Sequence, residues 1–190
     1  MAPLGPRGRP DQISLGPGYL YVNGTLGAPE PPDLVTPWEE VHPGYVGLGY
    51  TESGSEFNQQ LQTQPVKVAE ELETVRNAPD GRTASVTFNL AQLTATNLQL
   101  ASNGGQIETA QGLVFFEPPD LGEETRVMLG FESEDHTERW IWRQAIMNGQ
   151  MKIMRQKGAA NATIACVFEL EKPETGQRLY RAILAAPLRA

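Results

Sequence analysis

Apolar residues recur at every second position along most of this chain, the spacing of half-buried strands. Tyr19-Leu20-Tyr21-Val22 reads as an opening strand closed by Asn23-Gly24, and Val46 to Thr51 as a second. Phe57, Gln59 and Leu61 alternate with Asn58, Gln60 and Gln62, which predicts a strand with a thin apolar face. Val66 and Val68 share one face of the next, and Pro65 stands at its start, where a missing N–H is tolerated. Ala84, Val86, Phe88 and Leu90 line one face of a strand that follows a Pro79-Asp80-Gly81 turn. Val127, Leu129 and Phe131 do the same, as do Met151 with Ile153, and Ile164 with Cys166, Phe168 and Leu170. Leu179 to Leu184 is the final strand.

One segment carries a helical period. Leu90, Leu93, Thr94, Leu98 and Ala101 fall three and four residues apart, with Asn89 as the expected N-cap, Gln92 as its capping-box partner, and Asn103-Gly104-Gly105 as the stop. Glu138 to Met147 has a helix-tolerant composition, but Trp140 and Trp142 alternate, which favours a strand. Asn148-Gly149 then predicts a hairpin turn into Gln150–Arg155. The expected fold is mainly β: a β-sandwich or small barrel with one flanking helix at about residues 89–103. Residues 1–18, with four Pro and four Gly, are expected to form a flexible arm. Residues 19–190 make a single domain with an extended loop at about 51–77, too long for an ordinary connection. A Pro-rich passage from Gly27 to Pro43 reads as irregular, with Trp38 anchoring it to the body.

Composition narrows the function. The 190 residues suffice for one real core, and 39% hydrophobic with 20% charged residues fits a globular protein. No run of about 18 apolar residues marks a membrane span or anchor. The start, MAPLGPRGRP, lacks an apolar core segment of a secretory signal. A single cysteine, Cys166, rules out an internal disulfide and a multi-cysteine metal site. With 15 Lys and Arg against 23 Asp and Glu, the net charge is −8, which argues against tight binding to nucleic acid. Arg126, Arg139, Arg143, Lys152, Arg155 and Lys157 form a local basic group. They read as outer-face residues of strands or as partners of acids across an interface.

Candidate chemistry is sparse. His136 follows Glu134-Asp135 at an expected hairpin tip, and His42 precedes Pro43 in the irregular passage. No G-x-S-x-G marks a nucleophile, so neither histidine suggests a catalytic triad. Glu132, Glu134, Asp135 and Glu138 lack the spacing of a calcium loop and read as a solvated turn. Cys166 shares an apolar face with Ile164 and Phe168, as a buried small hydrophobe does. Gly47-Leu48-Gly49 and Gly104-Gly105 lack the strand–loop–helix context of a phosphate loop. Trp140 and Trp142 could stack a sugar, although paired strand aromatics more often belong to a core or interface. No cofactor or metal is expected, and no enzymatic activity.

Several passages resemble the tail tube (major tail) proteins of long-tailed, siphovirus-type bacteriophages. Gly16-Pro17-Gly18-Tyr19-Leu20-Tyr21-Val22 is similar to the family's opening strand. Trp38, followed at a stretched distance by Gly49-Tyr50-Thr51-Glu52-Ser53-Gly54, is similar to a W-x-x-x-G-Y-T-x-x-G-like passage. Gly81-Arg82-Thr83-Ala84-Ser85-Val86-Thr87-Phe88-Asn89-Leu90-Ala91 resembles its strand-to-helix junction, with Gln92 where the family often has Glu. ERWIWRQAIMNGQMKIMRQKG and NATIACVFEL, joined at a Gly158-Ala159-Ala160 turn, look like its paired late strands. The likeness runs from about Gly16 to near the C-terminus, without the immunoglobulin-like domain of some relatives.

The resemblance implies a structural subunit, made in the host cytoplasm and carried in the virion tail. Six copies would close their sheets into a ring, and rings would stack into a tube that conducts double-stranded DNA at ejection. The bacterial type VI secretion tube protein is similar in fold. Its partners would be itself, the tape measure protein, the tail terminator and the tail tip proteins. An acidic lumen would repel phosphates, and Glu56, Glu70, Glu71, Glu73 and Glu169 are the candidates to line it. Ser55, Phe57, Gln59, Leu61, Val66, Val68 and Arg76 are the candidates for contact with the next ring. A carbohydrate- or receptor-binding β-sandwich of a virion is the alternative, and a small hydrolase a distant third.

Overall fold

A computed structural model describes residues 18–66, 76–148, 151–155, 162–174 and 176–185. The expected arm (residues 1–17), the Gly158-Ala159-Ala160 turn, and Val68, Glu70, Glu71 and Glu73 lie outside the described residues. In chain order the elements are β1 (Gly18–Asn23), α1 (Trp38–Val41), β2 (Val46–Gly47), β3 (Thr51–Val66), β4 (Arg76–Leu90) and α2 (Ala95–Ala101). There follow β5 (Gln106–Ala110), β6 (Leu113–Glu117), β7 (Val127–Ser133), β8 (Glu138–Met147), β9 (Lys152–Met154), β10 (Thr163–Leu170) and β11 (Tyr180–Leu184). The fold is mainly β, as the alternation predicts. Nine strands form one antiparallel sheet along the path β2-β1-β7-β8-β10-β4-β3, with β11 on β8 and β9 on β10. The hairpin β5–β6 stands apart.

Alternation decides which side chains meet. Val86, Phe88 and Leu90 pair across the ladder with Phe168, Cys166 and Ile164, and all six are buried on one face. Leu20, Leu129 and Trp142 extend that core through β1, β7 and β8, and Leu100 and Ala101 of α2 close it. Among the described residues, the apolar cover of the opposite face lies at the β1-β7-β8 end. There Met128 and Ile141 meet Ala28, Trp38 and Tyr45 from the connection between β1 and β2.

Four sequence expectations need correction. The helix begins at Ala95 rather than Asn89, because Asn89 and Leu90 remain in β4 and pair with Ala165 and Ile164. Sheet pairing on both sides outcompetes the helical stripe at that point. Thr94 is the N-cap, its hydroxyl accepting from the Asn97 N–H at 3.1 Å. Leu100 takes the buried place, and Leu93 is exposed. The expected strand from Val46 to Thr51 is split at Gly49. Its φ of +78° bends the chain, and a Cβ there would sit 2.2 Å from Gln92 Oε1.

Pro79-Asp80-Gly81 is not a turn. It lies inside β4, opposite Gln62 and Thr63, with a register shift that accommodates the extra residue. Pro79 is tolerated because β10 reaches no further along β4 than Ser85, which leaves an open edge. Residues 55–66 therefore form one continuous strand paired with β4, not two strands divided at Pro65. Lastly, β9 pairs with β10 and not with β8. Both β8 and β9 run antiparallel to β10 along the same edge, so the chain steps aside near Asn148 and continues without reversing. The Asn148 N–H still donates to Val167 O at 2.9 Å.

Candidate assembly surface

The most prominent surface feature is the far half of the β3–β4 pair. Gln60 to Val66 and Arg76 to Thr83 are bonded to each other and, among the described residues, to no third strand. At about 3.3 Å per residue this arm projects roughly 23 Å beyond the sheet. Leu61 is about half exposed opposite Arg82, and Val66 is half-buried opposite Arg76. Gln64 Nε2 donates to Asp80 Oδ2 at 2.9 Å across the register shift. A two-stranded ribbon of this kind is marginal in water unless something packs on it.

The candidates for contact with the next ring are not equivalent. Ser55 follows an irregular step in β3 at Ser53 and Gly54, both with positive φ, and is exposed opposite Phe88. Gln59 is exposed at the root of the arm. Phe57 is already engaged inside the subunit, with its ring 5.1 Å from Tyr180, 5.4 Å from Trp140 and 5.8 Å from Trp142. That packing also covers the tryptophan pair. Trp142 is buried in the core, so the two rings offer no open stacking platform for a sugar.

A polar sheet face gathers two of the acidic candidates. Glu56 pairs with Thr87, and Ser85 stands between Asn58 and Glu169. The two carboxylates therefore flank β4 on the same face, roughly 10 Å apart across the strands. Both are exposed, and neither forms an ion pair among the described residues. Asn58 Nδ2 donates to Glu56 Oε1 at 2.7 Å. Asn58, Gln60, Thr83, Ser85 and Thr87 neighbour them on this face, together with the exposed Val167 opposite Thr87.

The opposite end of the sheet holds the polar groups that sequence reasoning missed. Arg139 is buried, not on an outer face. Its guanidinium donates to Glu132 Oε2 at 2.9 Å and to the carbonyls of Asp33 and Thr36 at 3.0 and 2.7 Å. The Trp38 indole N–H donates to the same carboxylate at 2.7 Å, and His136 Nδ1 lies 2.6 Å from its other oxygen. Trp38 stacks on Tyr21 and lies so close over Gly130 that a Cβ there would be 2.4 Å from the ring. The available signal was parity. Arg139 alternates with Trp140 and Trp142 and so shares its face with Ile141, and a cation on an apolar face needs a buried anion.

Arg126 and Arg143 of the local basic group are also engaged. Glu30 grips Arg143 at both oxygens and stands 3.5 Å from Arg181, which ties the Pro-rich connection to β8 and β11. Arg126 pairs with Glu171 at 3.0 Å. That contact and the amide of Gln144 hold the Glu171 carboxyl below its usual range. Cys166 is fully buried, and burial pushes its thiol up to about 12, so it carries no thiolate at neutral pH. Among the described residues no three His, Cys, Asp or Glu side chains are placed to share a metal ion.

These features describe a β-sheet scaffold whose polar network ties loops to the sheet, with a bare arm at one end and a polar face beside it. The phage tail tube protein family matches residues 10–165, and the chain belongs to that family. No curated protein matches it. Among solved structures, a chain of the anti-feeding prophage (AFP) baseplate, a 6-fold symmetrised cryo-EM structure, matches with a TM-score of 0.45. It is 8% identical, over 90% of this chain and 95% of that one. As a tail tube family member, this chain has a structural role in the phage tail.

Proposed function

We propose that this protein is the tube subunit of a long-tailed, siphovirus-type phage, assembling as hexameric rings that stack into a DNA-conducting tube. The observation that carries the reading is the arm. A ribbon without a third strand among the described residues, continuous with the 16-residue edge strand β3, offers an open edge for pairing. A neighbouring copy supplies the missing partner. Ser55, Gln59, Leu61, Val66 and Arg76, with Val68 beyond the described residues, then contact the next ring. The subunit is made in the host cytoplasm and joins the tape measure, terminator and tail tip proteins in the virion.

Glu56 and Glu169 face the lumen in this reading, with Glu70, Glu71 and Glu73 as further candidates. Carboxylates around the bore repel the phosphates of passing DNA, and only charges within a Debye length of about 8 Å act at physiological salt. Electron microscopy of the purified protein mixed with tail-tip initiator tests the assembly, with hollow tubes as the expected result. A protein that light scattering shows to remain monomeric under those conditions overturns it. For the lumen, Glu56→Lys with Glu169→Lys is expected to leave tube assembly nearly intact and to slow genome ejection at low salt. Unchanged ejection kinetics would remove lumen charge from the mechanism.

A further inference from the structure

The hairpin β5–β6, which rests on α2, is a second two-stranded element without a third strand among the described residues. Its strands pair only with each other, through the Ala110↔Leu113 to Gln106↔Glu117 register. One side carries Phe116, whose half-buried ring stands against Gly105 just past α2, together with the exposed Ile107 and Val114. The other side presents Leu113 and Phe115, about 60% and 48% exposed, opposite Ala110 and Glu108. Leu121 just beyond is almost fully exposed. Large apolar side chains concentrated this way on a short hairpin are the mark of a contact surface. Glu108, Glu117, Asp120 and Glu123 surround it, and none forms an ion pair among the described residues.

The arm has the matching arrangement with the opposite sign. Leu61 is exposed directly across from Arg82, and neither Arg82 nor Arg76 has an ion-pair partner among the described residues. On the arm an apolar residue stands beside a base. On the hairpin an apolar residue, Phe115, stands beside an acid, Glu108. We infer that the β5–β6 hairpin is the receptor for the β3–β4 arm of a second copy of this chain, with Leu61 against Leu113 and Phe115 and Arg82 against Glu108. This deepens the proposed function and rests on it for the occurrence of repeated copies. The pairing is heterologous, arm to hairpin, so it propagates from copy to copy instead of closing a two-fold dimer. Burial of the apolar pair supplies contact area, and the charge pair fixes register and rejects misaligned docking.

Charge exchange tests the contact in the full-length protein. Arg82→Glu and Glu108→Arg are each expected to lower tube yield about tenfold, through a like-charge contact, and the double exchange to recover most of it. Both substitutions are on exposed residues, and circular dichroism confirms that the subunits remain folded. A second measurement is oxidative cross-linking of a protein carrying Leu61→Cys and Phe115→Cys, read in tubes and in concentrated soluble protein. Cys166 is buried and does not interfere. The expected product is a ladder of covalent multimers. Tubes that form without the cross-link, and with no recovery in the double exchange, overturn the arm–hairpin contact and leave the tube reading standing. Failure of unaltered protein to form tubes, with no cross-link in solution, removes both. If Glu108→Arg leaves tubes intact but prevents their incorporation into virions, the hairpin serves another tail component and the inference is wrong.

Discussion

The two ends of the main sheet are built on opposite plans. At the β1-β7-β8 end both faces are covered, one by the main core and the other by the connection carrying Trp38 and Tyr45. Along the β3–β4 arm neither face is covered by the described residues. The same alternation of side chains produced both, so alternation alone does not decide burial. What differs is the supply of covering groups. The clamped end spends a tryptophan, a buried ion pair and several loop carbonyls on holding an irregular connection in place. The arm carries Gln, Thr, Asn and Pro, which give a soluble ribbon little reason to fold back on its own subunit. Stability resides at one end, and the other is left for association.

The largest effect should come from removing the clamp. Trp38→Ala is expected to cost about 3–5 kcal/mol, by leaving a cavity over Gly130 and removing one of the two donors to Glu132 Oε2. Urea denaturation with a lowered midpoint and unchanged slope would show it. A loss under about 1 kcal/mol would mean that the connection is held by other contacts.

Arg139→Met tests the ion pair. Alone it should cost about 3–5 kcal/mol, because it strands the buried carboxylate of Glu132. Combined with Glu132→Gln it should recover a large part of that loss. A double-mutant cycle reads the coupling, and additive losses would show that the pair is not a unit.

At the rim of the sheet the Arg126–Glu171 pair is partly exposed, so solvent screening leaves it only a small contribution. Its pH dependence has a definite sign. The Glu171 carboxyl is held below the value of 4.5 it has when free, chiefly by the Arg126 hydrogen bond, so the unfolded chain binds a proton more readily. That stabilisation is complete above about pH 5 and is lost as pH falls through the folded-state value. Glu171→Gln should flatten the acid limb of a thermal stability profile and leave pH 7 nearly unchanged. An acid limb identical to that of the unaltered protein would exclude the pair.

The arm should show the smallest effect on stability. Leu61→Ser is expected to shift unfolding by no more than about 0.5 kcal/mol, since the side chain is exposed in the subunit. The same substitution should lower tube yield. A destabilised monomer would indicate that the arm packs on its own sheet, and the contrast between the two ends would fail.

Much of this molecule was legible in its sequence, because strand alternation is local. The strands around Leu20, Phe88, Leu129, Trp142, Phe168 and Ile183 follow from period-2 burial, and Trp38 could be read as an anchor because a lone tryptophan in a Pro-rich passage needs a place to bury. The polar face with Glu56 and Glu169 was visible as alternation, although their meeting across β4 was not. Tertiary structure decided what depends on partners distant in the chain. Whether Asn89 capped a helix or stayed in a strand depended on Ala165, and whether Pro79 marked a turn or sat in a ribbon depended on where β10 stopped. The β5–β6 hairpin was overlooked although Gln111-Gly112, both with positive φ, form its turn, because Gln is an unusual residue there. Arg139 needed Glu132, seven residues away in sequence and directly across the ladder, before its burial made sense. Local steric and hydrophobic preferences reach only a few residues, and competition between them is settled by which distant strand arrives to pair.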